Sequence, residues 1–211
     1  MKKRKKPIRR IPLEPYNESL IITSDYPLLD YKLIKELTLE NQDKYRIVFD
    51  ACLLEKVTIQ NNDFLRTEFI DCTFKNCDLS NNTFTSTSFI RCEFIDCKMI
   101  GSHIVECYLN DVLFSNCNLE YIDFANNKMK IVEMSKTNLK ESNWFENMIN
   151  GIEFKENDLS KANIYKNPFK ELDISTCEID SMRVDIGSIK NIEIASHQAE
   201  AFCHLLGLKV K

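Results

Sequence analysis

The sequence predicts an all-β solenoid, a tube of stacked short units sharing one core. Three observations predict it. Stepping by five from Phe49 to Ile194 meets thirty consecutive apolar residues without a miss. At 44% hydrophobic residues overall, chance gives such a run with odds on the order of 10⁻¹¹. The position two residues earlier, from Ile47 to Ile192, carries no charge in any of its thirty occurrences. All 39 charged residues between 47 and 195, 24 acidic and 15 basic, fall on the other three positions. Neither an α-helix nor a simple strand has this period. Each unit turns one large and one small residue inward, and no unit buries them alone, so successive units must stack.

Composition sets the frame for this core. The chain has 211 residues and a net charge of −4, enough for one sizeable domain and a tail. Lys2, Lys3, Arg4, Lys5, Lys6, Arg9 and Arg10 place +7 in the first ten residues, which leaves −4 − 7 = −11 for the remainder. No apolar run approaches the ~20 residues of a membrane span. "PIRRIPLEPYNESL" follows the basic start without the apolar core of a signal peptide. The expectation is a soluble, cytoplasmic protein. Residues 1–25 read as a basic, flexible and solvated extension, although a basic run can also touch nucleic acid or an acidic partner.

Nine cysteines admit a disulfide, metal or core reading. An odd count without a secretion signal argues against disulfides. Eight of the nine, Cys52, Cys72, Cys77, Cys92, Cys97, Cys107, Cys117 and Cys177, occupy the small inward position. Zinc needs converging ligands, usually mixed Cys and His, and the histidines are only His103, His197 and His204. The cysteines therefore read as core.

Segments such as "CTFKN", "CDLSN", "CEFID" and "CNLEY" resemble the pentapeptide-repeat family, whose pattern is small–polar–Phe/Leu–polar–polar. The resemblance covers residues 47–195, about seventy per cent of the chain. It implies a right-handed quadrilateral parallel β-helix with four units, about twenty residues, to each square coil. Cys52, Cys72 and Cys92 then stack in one column and Cys77, Cys97 and Cys117 in another, about 4.8 Å apart along the axis. Asn127, Asn147 and Asn167 form a further column in which an amide ladder satisfies buried polar groups.

An open solenoid needs covered ends. Residues 26–46 start off register and are expected to cap the first coil with a short strand or hairpin. Beyond residue 195, Ser196 can N-cap a helix of about ten residues that ends at Gly207. Phe202, Leu205, Leu206, Leu208 and Val210 follow as an apolar tail. "HQAEAFCHLLGLKV" resembles the C-terminus of the quinolone-resistance (Qnr-type) members, which implies a homodimer through residues 196–211.

Two outward features are candidate partner surfaces. Under a twenty-residue coil, Glu93, Glu133, Glu153, Asp173 and Glu193 share a column interrupted by Leu113, with Asp71, Asp111 and Glu171 in the neighbouring one. Leu65, Ile70, Ile90, Ile95, Ile100 and Val105 occupy a usually polar position as an apolar patch, and Phe145 and Tyr165 extend the column of Leu65 and Val105. The ordinary reading of the first is solubility, and of the second, packing against an N-terminal segment folded back along the tube.

No catalytic or cofactor constellation emerges. The four glycines form no phosphate loop, and the outward carboxylates sit on a convex surface. An enzyme is not expected. The Qnr-type resemblance implies a DNA mimic that binds DNA gyrase or topoisomerase IV and alters their response to quinolones, with no direct DNA binding by the repeat and no membrane contact. The alternative is a scaffold recognising another protein through the apolar patch. Many Gram-negative Qnr-type proteins carry loops that interrupt the repeat. The unbroken register here leaves no room for them and is more like the loop-free members from Gram-positive bacteria and mycobacteria, so protection and inhibition both stay open.

Overall fold

The five-residue pattern closes into a four-walled parallel β-solenoid of about eight coils, seen in a computed structural model that describes residues 3–16, 27–41, 44–190, 192–205 and 207–210. Every ladder advances by twenty residues: Phe49 pairs with Phe69, Phe69 with Phe89, and Phe89 with Leu109 on the first wall. Ile34, Leu54, Phe74, Phe94, Phe114 and Met134 line the second wall. Isolated bridges from Thr58 through Asp78, Lys98, Asn118, Asn138 and Asp158 to Glu178 hold the third. Phe64, Phe84, Ile104, Phe124, Trp144 and Ile164 line the fourth.

The turn between units explains why charge is confined to three positions of five. Twenty-seven non-glycine residues have φ between 49° and 59°, each two places after an inward large residue. The left-handed conformation costs roughly 1–2 kcal/mol for most side chains. Asn and Asp bear it best and recur there, as at Asn41, Asp71 and Asn126. Most of these turns donate their amide to a carbonyl of the next coil, as Tyr31 does to Asp50 at 2.9 Å and Arg91 to Asn110 at 2.8 Å. The turn recurs at most corners of the tube and ties most of them to the next coil.

Inside the tube, phenylalanine rings stack at centroid distances of 4.6 Å (Phe74 and Phe94), 4.8 Å (Phe94 and Phe114) and 4.9 Å (Phe49 and Phe69). The small inward position has its own logic. Its side chain donates to the carbonyl twenty-three residues back: Cys72 Sγ to Phe49, Thr87 Oγ1 to Phe64, Ser102 Oγ to Leu79 and Asn127 Nδ2 to Ile104. Cys, Asn, Ser and Thr make this bond, and where Val57, Val112, Ile122 and Val132 take the position they are buried without it. The asparagine column forms the expected amide ladder, Asn127 Nδ2 to Asn147 Oδ1 at 3.0 Å and Asn147 Nδ2 to Asn167 Oδ1 at 2.9 Å. Asn62 and Asn82 repeat it in the neighbouring inward column.

The ends depart from the sequence expectation. Residues 27–41 and 44–46 do not cap the first coil as a hairpin. They are a coil, with Leu29, Ile34 and Leu39 buried in the same register and with parallel pairing onto Val48–Asp50, Leu53–Glu55 and Thr58–Gln60. Two charged residues, Lys44 in the large inward register and Lys32 in the small one, hide this extension in the sequence. Strand Glu14–Tyr16 then covers the free edge of Lys32–Lys35 in parallel. At the other end a 3₁₀ turn, Ser196–Gln198, leads into the helix Ala199–Leu205. Gln198 is the plug: its Nε2 donates to the carbonyls of Ile174 and Cys177, and its Oε1 accepts from the Ala195 amide. Gly207, at φ 75°, ends the helix, with Gly207 N–H bonded to the His204 carbonyl and Leu208 N–H to Cys203, the paired closure typical of a left-handed C-terminal residue.

Candidate interaction surface

The acidic residues lie where a twenty-residue coil puts them. Thr73, Glu93, Leu113, Glu133 and Glu153 are successive register partners on the outside of the second wall. Asp71, Arg91 and Asp111 follow one another at the corner between the first and second walls. That corner is smoothed further along the tube, where single strands Tyr108–Ser115, Lys128–Ser135 and Met148–Lys155 run through it.

The basic N-terminus occupies this surface. Residues 4–9 do not form the solvated extension that the sequence reading expected, and residues 17–25 of that extension lie outside the described residues. Arg4 Nη2 lies 2.8 Å from Glu93 Oε1, and Arg4 Nε lies 3.1 Å from Glu133 Oε2, so one guanidinium spans the Leu113 interruption. The Lys5 amide donates to Asp111 Oδ1 and the Ile8 amide to Asp71 Oδ1, each at 2.9 Å. Arg9 Nη2 donates to Thr73 Oγ1 at 2.7 Å and to the Cys52 carbonyl at 3.3 Å. The Arg4 side chain is only 6% exposed. Asp71 and Asp111 are buried, and Asp71 is also gripped by Arg91 through two bonds of 2.6 Å. The readable signal was the charge imbalance: a +7 tail tethered to a tube of opposite sign has its nearest partner in that tube.

Beyond the arm the wall splits, so the expected acidic column is not continuous. Strand Met148–Lys155 pairs with Lys128–Ser135 on one side, and among the described residues no strand pairs with its other edge. Leu172–Asp173 pairs instead with Ile192–Glu193. Pro168 stands where Met148 and Lys128 donate their amides to the preceding coil, and proline has no N–H to give. The third and fourth walls stay laddered through Asp158–Glu178 and Asn163–Arg183, so the tube opens on one side only. The result is a cleft of about 870 Å³. Glu153, Glu171, Asp173 and Glu193 line it together with Lys130, Lys155 and Lys170, which leaves four acids against three bases.

The apolar residues do not make one patch. Leu65 and Val105 lie on the fourth wall, Ile70 and Ile90 on the first, Ile95 on the second and Ile100 on the third. What remains is a column on the fourth wall, with Tyr45, Leu65, Thr85, Val105, Ala125, Phe145 and Tyr165 in successive register. Leu65, Phe145 and Tyr165 are 40–45% exposed. This column faces away from the second wall, where the arm makes its polar contacts.

At the C-terminus, Phe202 is buried against the core. It serves the lid, which removes it from the expected dimer face. Leu208 and Val210 are exposed, while Leu206 and the Leu205 side chain lie outside the described residues. Among the described residues no three His, Cys, Asp or Glu side chains converge as metal ligands, and no helix is long and apolar enough to cross a membrane. Burial pushes the Cys92 and Cys107 thiols up to about 12 and raises Cys72 and Cys177 as well.

Comparison with known proteins agrees with this geometry. The family model for a pentapeptide repeat region matches residues 67–144. A trypsin-treated variant of QnrB1, a plasmid-mediated fluoroquinolone resistance protein, superposes with a TM-score of 0.56 at 18% identity, covering 84% of this chain and 99% of that one. Full-length QnrB1 gives 0.49 at 16% identity over 83% and 100% of the two chains. HetL, a pentapeptide-repeat protein involved in heterocyst differentiation regulation in the cyanobacterium Nostoc, gives 0.31 at 11% over 80% and 87%. No curated protein matches the sequence. The matched five-residue repeat continues in the same register on both sides of residues 67–144, and the fold is the parallel β-solenoid seen in pentapeptide-repeat structures.

Proposed function

We propose that this chain is a non-enzymatic, dimeric protein that engages the DNA-binding surface of a type II topoisomerase, DNA gyrase or topoisomerase IV, and modulates its response to quinolones. The observation that carries the reading is the tube itself, with acids in register on one wall and a fold similar to that of a fluoroquinolone resistance protein. Eight coils at strand spacing give about 38 Å, close to the 34–36 Å of one turn of B-DNA. The repeat's net charge of 15 − 24 = −9 compares with about twenty phosphates over that length. Glu93, Glu133 and Glu153 on the second wall, and Glu171, Asp173 and Glu193 at the cleft, are the proposed contacts, with Leu208 and Val210 available to a second copy.

The test is direct binding to purified gyrase across a salt series. Reversing Glu133, Glu153 and Asp173 to Lys is expected to lower affinity at least tenfold, and wild-type affinity is expected to fall with salt because the contacts are wet ion pairs. Unchanged binding by the reversed variant contradicts the mimic.

The fourth-wall column favours a second reading, a scaffold that docks another protein on Leu65, Val105, Phe145 and Tyr165, since aromatic groups left 42–45% exposed are common at interfaces. Leu65→Ser with Phe145→Ser abolishes binding under that reading and leaves it unchanged under the first.

A further inference from the structure

We infer that residues 3–10 are a built-in cationic ligand of the acidic wall, so that the wall recognises an extended arginine-bearing chain and an outside partner binds there only by displacing the arm. The docking is built from two kinds of contact. Side-chain recognition comes from Arg4, held between Glu93 and Glu133, and from Arg9 on Thr73. Main-chain recognition comes from the Lys5 and Ile8 amides on Asp111 and Asp71. The spacing fits an extended peptide. From Lys5 to Ile8 is three residues, about 10 Å at 3.3 Å per residue, and from Asp111 to Asp71 is two coils, also about 10 Å. A fully buried arginine is rare unless paired, and Arg4 is buried and doubly paired.

The docked arm changes what the wall offers to solvent. Glu93 is left 15% exposed, Asp71 and Asp111 are buried, and Lys5, Lys6 and Arg10 stand outward in their place. The N-terminal half of the wall is thus basic on its outside with the arm docked and acidic without it. The tether is short: the arm runs within a few residues into strand Glu14–Tyr16, which is fixed to the sheet. A short tether holds its ligand at an effective concentration of roughly millimolar. The ion pairs are partly solvated and individually weak, so a multivalent cationic surface can replace them. This regulation rests on the acidic wall being a partner face; the docking itself does not.

The experiment measures binding of a labelled nona-arginine peptide to the full chain by fluorescence anisotropy at low ionic strength. Arg4→Ala with Arg9→Ala is expected to bind it about tenfold more tightly, the gain for an arm docked about nine-tenths of the time. Adding Glu93→Gln and Glu133→Gln removes that gain. A charge-matched control, Lys98→Ala with Lys161→Ala on the far side of the tube, binds like wild type. Equal affinity for wild type and the arm variant, or the same gain in the control, overturns the inference. Amide hydrogen exchange gives a second readout free of any ligand: the Lys5 and Ile8 amides are slow in wild type and fast in the arm variant. Fast exchange in wild type overturns it too. An arm that docks while gyrase responds to neither form contradicts the topoisomerase reading and leaves this one standing.

Discussion

Arg4 and Glu133 are 129 positions apart in sequence and 3.1 Å apart in space. Their contact folds a tail that carries +7 against a tube that carries the compensating charge. Solvent at one end limits its worth: the Glu133 side chain is 30% exposed, and ion pairs open to solvent contribute about 1 kcal/mol or less. Arg4→Ala should therefore leave the denaturation midpoint almost unchanged while releasing the arm. A loss of more than about 2 kcal/mol would make the arm part of the folding core.

Core and surface aromatics should separate cleanly. Phe94 stacks between Phe74 and Phe114 and is 1% exposed, so Phe94→Ala is expected to cost about 3–5 kcal/mol. Phe145 on the fourth wall is 42% exposed, and Phe145→Ala should stay within about 0.5 kcal/mol. Urea titration of both variants measures the difference.

The thiols should divide as their burial does. Eight cysteines are buried and Cys203 on the lid is half-buried, while thiolate is the reactive form. Ellman's reagent is expected to modify one thiol per native chain and nine after denaturation. Fast modification of several native thiols would mean that the columns open.

Asp50 supplies a pH test. Burial, and then the neighbouring Asp71 and Asp30 charges, hold its carboxyl above the usual range. A folded-state value raised above the unfolded one stabilises the fold at low pH, and that contribution is lost as pH rises through the folded value. At neutral pH the charged Asp50 is a cost, so Asp50→Asn should raise the melting temperature at pH 7 and give no gain near pH 3. A uniform shift at both pH values contradicts the electrostatic origin.

The repeat was legible because thirty inward positions obey one rule, and register follows from period. Four features were not read from it. Lys44 and Lys32 interrupted the inward series and hid the coil of Leu29, Ile34 and Leu39, although that coil is held by pairing that two residues do not decide. The opening at Pro168 depends on one missing amide, visible as a proline but silent about which wall yields. The apolar positions looked contiguous because they recur every five residues, yet Leu65 and Ile70 sit on adjacent walls and only residues twenty apart share a face. The arm's docking is a long-range contact with no periodic signature, so charge balance was its sole trace.

The most direct measurement is DNA supercoiling by purified gyrase with this protein titrated in, with and without a fluoroquinolone. The account predicts a dose-dependent effect, as rescue in the presence of the drug or inhibition in its absence, that disappears when Glu133, Glu153 and Asp173 are reversed to Lys. No effect in either arm from folded protein, or an effect that survives the reversal, would contradict the acidic wall as the partner surface.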